Sequence, residues 1–495
     1  MALLLGHDLG TRGNKAVLVD TDGRLVAEAV EPYGIELSAD GRAEQDPAVW
    51  WRAVCACTRR VLEASGRPAA DVCGIGFAGQ MLALVPLDAL GQPTRPAISW
   101  LDSRAEREAH AITRRLGGAT LVSMIAGAIP TGKDIVAKIA WIRAHEPEVF
   151  GRTRNFGDAT SYLVGRATGS LSIDVTCAAG TGMLDAGSRT WSPLLARLAG
   201  FPLDRVVAPR EGTSIAGALT AVAASELGLV AGTPVIAGLA DIPAAAIGSG
   251  SVRPGDTHVY LGTSGWLGVT TRRPVAAPRH GIAALPWTVP GTSLTIGEME
   301  NAGSCLDWAI STALFRGQAL DGATYRAFES LAAGSRPGSH GVWFLPWLFG
   351  ERSPFPNERL RGGWLGVGLT SSDSDLARSV YEGVAYNLGW SLRVLGQQGV
   401  RPPRIAAIGG GTMSGVWLQT IADVTGVEVA RVRHARASGA IGAALCAGVG
   451  VGAVPSLAAI GNLIEWGASY EPGAEAHALH AARLPEFARL SGWMG

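Results

Sequence analysis

Two stretches far apart in the chain follow one formula. Residues 3–20, LLLGHDLGTRGNKAVLVD, read as an apolar strand, a glycine-bearing turn and a second apolar strand, and residues 258–271, HVYLGTSGWLGVTT, repeat that order. Such a hairpin needs a sheet partner on each side and a core beneath it. Its recurrence predicts a chain built from two similar α/β halves facing a cleft. The Gly/Ser/Pro-rich stretch 248–254 (GSGSVRP) marks the boundary between residues 1–247 and 248–495. A third strand is expected at LVAEAVEPY, giving an antiparallel meander before the first helix, so the sheet is not purely parallel.

With 495 residues, 47% of them hydrophobic, the chain can bury sizeable cores, and its formal net charge of zero leaves no basic footprint for nucleic acid. The six cysteines are scattered without CxxC pairing, which argues for a reducing compartment and against a zinc site. Asp8 and Arg12 interrupt the N-terminus before any apolar signal could form. Residues 437–464 contain no charged side chain but are rich in Gly, Ala and Val, with Pro455 inside. They read as a buried helix and an apolar turn rather than a membrane span. A cytoplasmic protein is expected.

Helices are predicted at Pro47–Ser65, opened by Asp46-Pro47, and over 134–145, where Ile135, Ile139 and Ile142 share a face. GIGFAG (74–79) matches GxGxxG, yet the apolar run QMLALVPLD follows it where a dinucleotide site requires a helix. It is read as a buried strand.

Three glycine loops are candidates for phosphate. Gly10 and Thr11 lie in the first hairpin and Gly262, Thr263 and Ser264 in the second. Gly410, Gly411 and Thr412 lie between the strand RIAAI and the helical VWLQTIADVTG. Each alone reads as an ordinary turn; three together point to a nucleotide. Asp241 is the one charge in VIAGLADIPAAAIGSG, and a carboxylate among small apolar residues either faces a cleft or caps the helix that begins near Pro243. Asp102 and Arg104 in SWLDSR read by default as a surface salt bridge.

These loops, together with GGWLGVGLTSSDSDLARSVYE (362–382), resemble the FGGY family of carbohydrate kinases and its xylulokinase branch. Gly362, Trp364, Gly366-Val367, Asp375-Leu376, Ser379 and Tyr381-Glu382 match the C-terminal signature. Lys138, Trp141 and Ile142 in AKIAWI carry the N-terminal one. FLPWLFGERSP, GSCLDW, AEQDPAVWW and SWLDSR are similar to segments of the same branch. The resemblance implies two actin-like (ribonuclease-H-like) domains around a central catalytic cleft, an N-terminal sugar-binding one and a C-terminal nucleotide-binding one. It implies ATP and Mg²⁺, a ketopentose substrate, and a possible homodimer. By it, Asp8 would position the metal, which would reconcile a carboxylate with a phosphate loop. Gly10, Thr11 and Lys15 would complete that loop, with Lys15 also readable as a solvent-facing strand residue. Gly262, Thr263, Ser264, Gly410, Gly411 and Thr412 would hold the nucleotide, and Asp241 would be the general base. Gln80, Met81, Leu82, Trp100, Asp102 and Arg104 would meet the sugar.

The chain departs from that pattern at two places. Xylulokinases usually read GQMHG where this chain reads GQMLA, so Leu82 replaces a hydrogen-bonding histidine, and Ile242 replaces the polar residue that usually follows the acid. Both make the pocket more apolar and suit a sugar with fewer hydroxyls, such as 1-deoxy-D-xylulose, beside D-xylulose itself. Ribulose, L-xylulose or erythritol are other substrates within the class. An actin- or chaperone-like ATPase and a silent sugar sensor are the readings outside it; the former lacks the 362–382 segment, and the latter has no need of Asp8, Asp241 and three loops together.

Overall fold

A computed structural model describes residues 2–118, 130–289 and 291–493. The chain forms two compact units. One comprises residues 1–252, 285–293 and 437–464, the other residues 253–284, 294–436 and 465–495.

The first unit is built on a mixed sheet. Strands β1 (Leu3–Leu9), β2 (Gly13–Asp20) and β3 (Leu25–Pro32) form the expected antiparallel meander, with Asp8 opposite Lys15 in the β1–β2 register. On its other side β1 runs parallel to β4 (Val72–Gly79), the GIGFAG stretch. The order is then closed by β5 (Ile215–Ala218) and β6 (Pro234–Ile236) as β5-β6-β4-β1-β2-β3. The Pro47–Ser65 helix packs on β2 and β3. Asp46 accepts from the Ala48 N–H at its start, and Gly66 ends it in the left-handed conformation at φ 61°.

The GxGxxG glycines sit inside a strand for a steric reason. The Ser438–Gly450 helix lies across β1 and β4 so closely that a Cβ on Gly76 would stand 2.1 Å from the Ala443 carbonyl oxygen, and one on Gly6 2.0 Å from that of Ala440. The same helix meets the Asp241–Gly248 helix backbone to backbone. A Cβ on Gly248 would be 1.8 Å from the Ser438 oxygen, and one on Gly442 1.9 Å from that of Ala244. The chargeless stretch 437–464 is thus a buried helix and turn, as expected, and it belongs to the first unit.

The second unit repeats the plan. Strands β7 (Thr257–Leu261) and β8 (Gly265–Thr271) form the second antiparallel hairpin. β9 (Ile282–Pro286) and β10 (Ser293–Met299) extend the sheet past β8. On its other side β7 runs parallel to β11 (Arg404–Ile408), followed by β12 (Glu428–Val432) and β13 (Trp466–Tyr470). The Asp373–Gln397 helix, opened by a Ser372/Asp375 capping box, and the Gly415–Thr425 helix pack together in this unit. Among the described residues, no helix is long and apolar enough to cross a membrane.

Valine at position 76 must push a helix backbone aside, so Gly76→Val is expected to lower stability by about 3 kcal/mol. Gly151→Ala, at a helical position with open space around it, is expected to raise stability by up to about 1 kcal/mol. Urea midpoints of the two variants against the parent test this steric account.

Candidate functional site

In the first unit, β1 delivers Asp8 beside the start of the Ser438–Gly450 helix. A Cβ on Gly439 would lie 2.5 Å from the Asp8 carboxylate. Only glycine leaves room there, and the first turn of a helix favours a negative charge. Burial raises the Asp8 pKa, and the positive charge of Lys15 on the neighbouring strand works against that rise. Lys15 is half-buried, opposite Asp8 in the β1–β2 register.

The turn after β1 is tied down on all sides. The Gly10 carbonyl accepts from the Tyr33 hydroxyl at 2.6 Å, and the Thr11 carbonyl from Gln45 Nε2 at 2.8 Å. The Thr11 hydroxyl oxygen accepts from Trp100 Nε1 at 2.8 Å. Thr11 and Trp100, assigned from sequence to different ligands, are therefore in direct contact.

Asp241 is the first residue of its helix; the capping position is Ala240, whose side chain makes no cap. The cap reading of Asp241 is corrected accordingly. Its Oδ1 instead accepts from the N–H groups of Ile242 at 2.9 Å and Met81 at 3.2 Å, which fixes the carboxylate against the 80–82 segment. Behind it, the Ala240 N–H donates to Thr176 Oγ1, whose hydroxyl donates to buried Asp174 at 2.7 Å. Desolvation pushes Asp174 up to about 6.

The 80–82 segment leaves the end of β4. Gln80 is buried, and its Nε2 donates to Gln45 Oε1 at 2.8 Å. Leu82 holds a left-handed backbone, φ 62°, unusual for a leucine. The side chains of Met81 and Leu82 reach toward Gly180, within about van der Waals distance of where its Cβ would be.

Asp102 and Arg104 are not at the surface, which corrects the default reading. Asp102 is fully buried, with one oxygen accepting from the Ala43 N–H at 2.7 Å and from Arg104 Nη2 at 2.6 Å. Arg104 also pairs with Glu44 at 2.5 Å and lies 4.9 Å over the Trp141 ring. Burial alone would lower the Arg104 pKa, but hydrogen bonds and charge from Asp102 and Glu44 outweigh it and raise it. Among the described residues, buried Gln80 Oε1 and Arg104 Nη1 have no hydrogen-bond partner, which leaves an acceptor and a donor group for a polar ligand.

The other two glycine loops lie side by side in the second unit, because each follows one of the adjacent parallel strands β7 and β11. The Gly262 and Thr263 carbonyls accept from the N–H groups of Gly303, Ala302 and Ser304 at 2.7–3.1 Å. Thr263 is exposed, and the N–H and hydroxyl groups of Thr263 and Ser264 have no protein partner among the described residues. In the third loop, Gly409 and Gly411 pack on Leu261, where a Cβ would meet it at 2.6 and 2.8 Å. Gly410 is exposed with open space beside it. Thr412 is buried and its hydroxyl donates to the Gly409 carbonyl, so its side chain braces the loop.

Three residues of this site have no role in the sequence reading: Gln45, Glu44 and Lys138. Gln45 and Glu44 lie within AEQDPAVWW, legible only as a segment similar to one of the xylulokinase branch. Lys138 was legible only as part of a signature. Among the described residues, no group of three or more His, Cys, Asp or Glu could hold a metal on its own.

Replacing Arg104 by leucine leaves Asp102 buried and uncompensated. Arg104→Leu is expected to cost about 3–5 kcal/mol, whereas Arg60→Leu, breaking an exposed pair with Glu31, is expected to cost less than about 1 kcal/mol, both read from urea midpoints.

Comparison with known proteins places these features in context. The model of the FGGY family of carbohydrate kinases, N-terminal domain, matches residues 3–248, and that of the C-terminal domain matches residues 258–451. A xylulose kinase of Escherichia coli (strain K12) is 32% identical over 491 residues, covering 99% of this chain and 98% of its own. One of Streptomyces rubiginosus is 35% identical over 465 residues, 92% of this chain and 90% of its own. The crystal structure of xylulose kinase from Rhodospirillum rubrum superposes with a TM-score of 0.88 at 30% identity, covering 99% of this chain and 98% of that one.

Proposed function

The chain belongs to the FGGY family of carbohydrate kinases, and on that footing we propose that it transfers the γ-phosphoryl group of ATP to D-xylulose, giving D-xylulose 5-phosphate and ADP. The observation that carries this reading is the placement of Asp241. Its carboxylate is pinned by the Met81 N–H to a segment whose neighbour Gln80 has an unpartnered buried oxygen.

In this reading the first unit takes the sugar, with Gln80, Met81, Leu82, Trp100, Asp102 and Arg104 around it, and the second takes the nucleotide. Thr263 and Ser264 offer their N–H and hydroxyl donors to phosphate oxygens; Gly410 leaves space for the flat nucleoside, and Gly411 lets the loop that holds it pack on Leu261 and Trp417. Asp241 accepts the proton of the sugar hydroxyl as that oxygen bonds to the γ-phosphorus and the bond to the ADP oxygen breaks. Asp8 is a lone half-buried carboxylate, which suits Mg²⁺, an ion held by one or two protein carboxylates and otherwise by water and phosphate. Bound with ATP, that ion would neutralise phosphate charge. All six cysteines are unpaired, in keeping with a cytoplasmic setting.

A second substrate is favoured by Leu82 and the buried Ile242. Where a histidine would hydrogen-bond a hydroxyl, leucine offers a methyl-sized apolar contact, so 1-deoxy-D-xylulose competes with D-xylulose.

Two variants test these assignments. Asp241→Asn is expected to lower kcat for sugar-dependent ADP release by about 10²–10⁴-fold with ATP affinity unchanged, and a smaller drop would sink the general-base role. Leu82→His is expected to move the kcat/KM ratio at least tenfold toward D-xylulose over its 1-deoxy form, about 1.4 kcal/mol. An unaltered ratio would count against the apolar-pocket reading.

A further inference from the structure

The chemistry just described makes no use of one fully buried cation. Lys138, on the Ile135–His145 helix, has no exposed surface. Its ammonium donates to two backbone carbonyls from different segments, Leu82 at 2.8 Å and Ser99 at 2.9 Å. Burying an ammonium is unfavourable unless its protons are placed in hydrogen bonds, and desolvation brings the Lys138 pKa down to about 7. A leucine or methionine would fill the same volume without that cost, so core packing does not explain a lysine here.

Both carbonyls belong to segments that carry the candidate sugar contacts. Leu82 stands next to Met81, whose N–H holds Asp241, and its left-handed backbone persists only where its surroundings fix it. Ser99 precedes Trp100, whose indole N–H reaches the Thr11 hydroxyl. The Ser99 carbonyl also accepts from the Asp102 N–H. One ammonium therefore joins the segment at Asp241 to the segment at Thr11, and it does so through main-chain atoms, which fix position regardless of side-chain rotamer.

We propose that Lys138 is a positioning residue for the sugar subsite, tying the Leu82 and Ser99 carbonyls so that Leu82 and Trp100 face the substrate at a fixed separation. The proposal rests on the reading that residues 80–82 and 100 meet the sugar. Lys138 touches neither substrate nor nucleotide. Its removal loosens sugar recognition and leaves the nucleotide loops, which lie in the other unit, unaffected.

The test is steady-state kinetics on the full chain, with ATP and the better-used of D-xylulose and 1-deoxy-D-xylulose varied separately. Lys138→Met removes both donors at similar volume. It is expected to raise the sugar KM at least tenfold, with the ATP KM changed less than twofold and kcat changed less than the sugar KM. Lys138→Arg, which keeps donors and charge, is expected to recover part of the sugar affinity. Leu82→Ala serves as comparator. If it raises the sugar KM and Lys138→Met does not, the positioning role alone is wrong. If neither moves it, the placement of the sugar at residues 80–82 is wrong and the proposal falls with it. Equal rises in both KM values, or failure of both lysine variants to fold, would make Lys138 a residue of the general core and overturn the proposal.

Discussion

The contact on which the first unit depends is the backbone-to-backbone seating of the Ser438–Gly450 helix. It lies against β1 and β4 through Gly6 and Gly76, and against the Asp241–Gly248 helix through Gly248 and Gly442, with carbonyl oxygens where side chains would otherwise stand. Without this close approach, Asp8 on β1 would not meet Gly439, and the helix that begins at Asp241 would be tied to the sheet only through the pairing of Leu239 and Ala240 with β4 and the Met81 N–H bond at its first residue. Three elements distant in sequence, at residues 3–9, 241–248 and 438–450, thereby place two carboxylates in one compact unit. Glycine is required because each approach leaves less room than a methyl group occupies.

The second unit uses the same strand plan for a different purpose. The antiparallel pair β7–β8 flanked by parallel β11 repeats β1–β2 flanked by β4, yet the loop after β7 carries hydroxyls where the loop in the first hairpin follows an acid. Parallel strands end on the same side of a sheet, so the loops that follow β7 and β11 are neighbours by construction. One hairpin plan therefore supports a carboxylate beside a helix start in one unit and a set of neutral donors in the other. Acidity is tuned locally by burial and partners, as at Asp8, Asp174 and Arg104.

Much of this was legible in the residues themselves. The meander, the helices Pro47–Ser65 and Ile135–His145, the buried helix within 437–464 and the non-Rossmann character of GIGFAG all follow from local pattern, because apolar runs and turn residues act over short range. What was not legible is long-range. Nothing in residues 437–464 says that they return to the first sheet, and the glycines at 74 and 76 give no sign that a helix rests on them. Asp102 and Arg104 look like any exposed pair because their burial is made by Glu44 and Trp141, more than one element away. Lys138 is legible in the sequence only as part of the AKIAWI signature, and the fold shows that its ammonium is held by two carbonyls.

The proposed chemistry puts a ketose in the first unit with an apolar residue, Leu82, on one side of it. The most direct measurement is the initial rate of ADP formation from Mg²⁺-ATP with D-xylulose, 1-deoxy-D-xylulose, L-xylulose, both ribuloses, erythritol and glycerol in parallel. The account predicts turnover that requires sugar and is fastest with D-xylulose or its 1-deoxy form. ATP turnover that is indifferent to added sugar, or fastest with erythritol or glycerol, would contradict it.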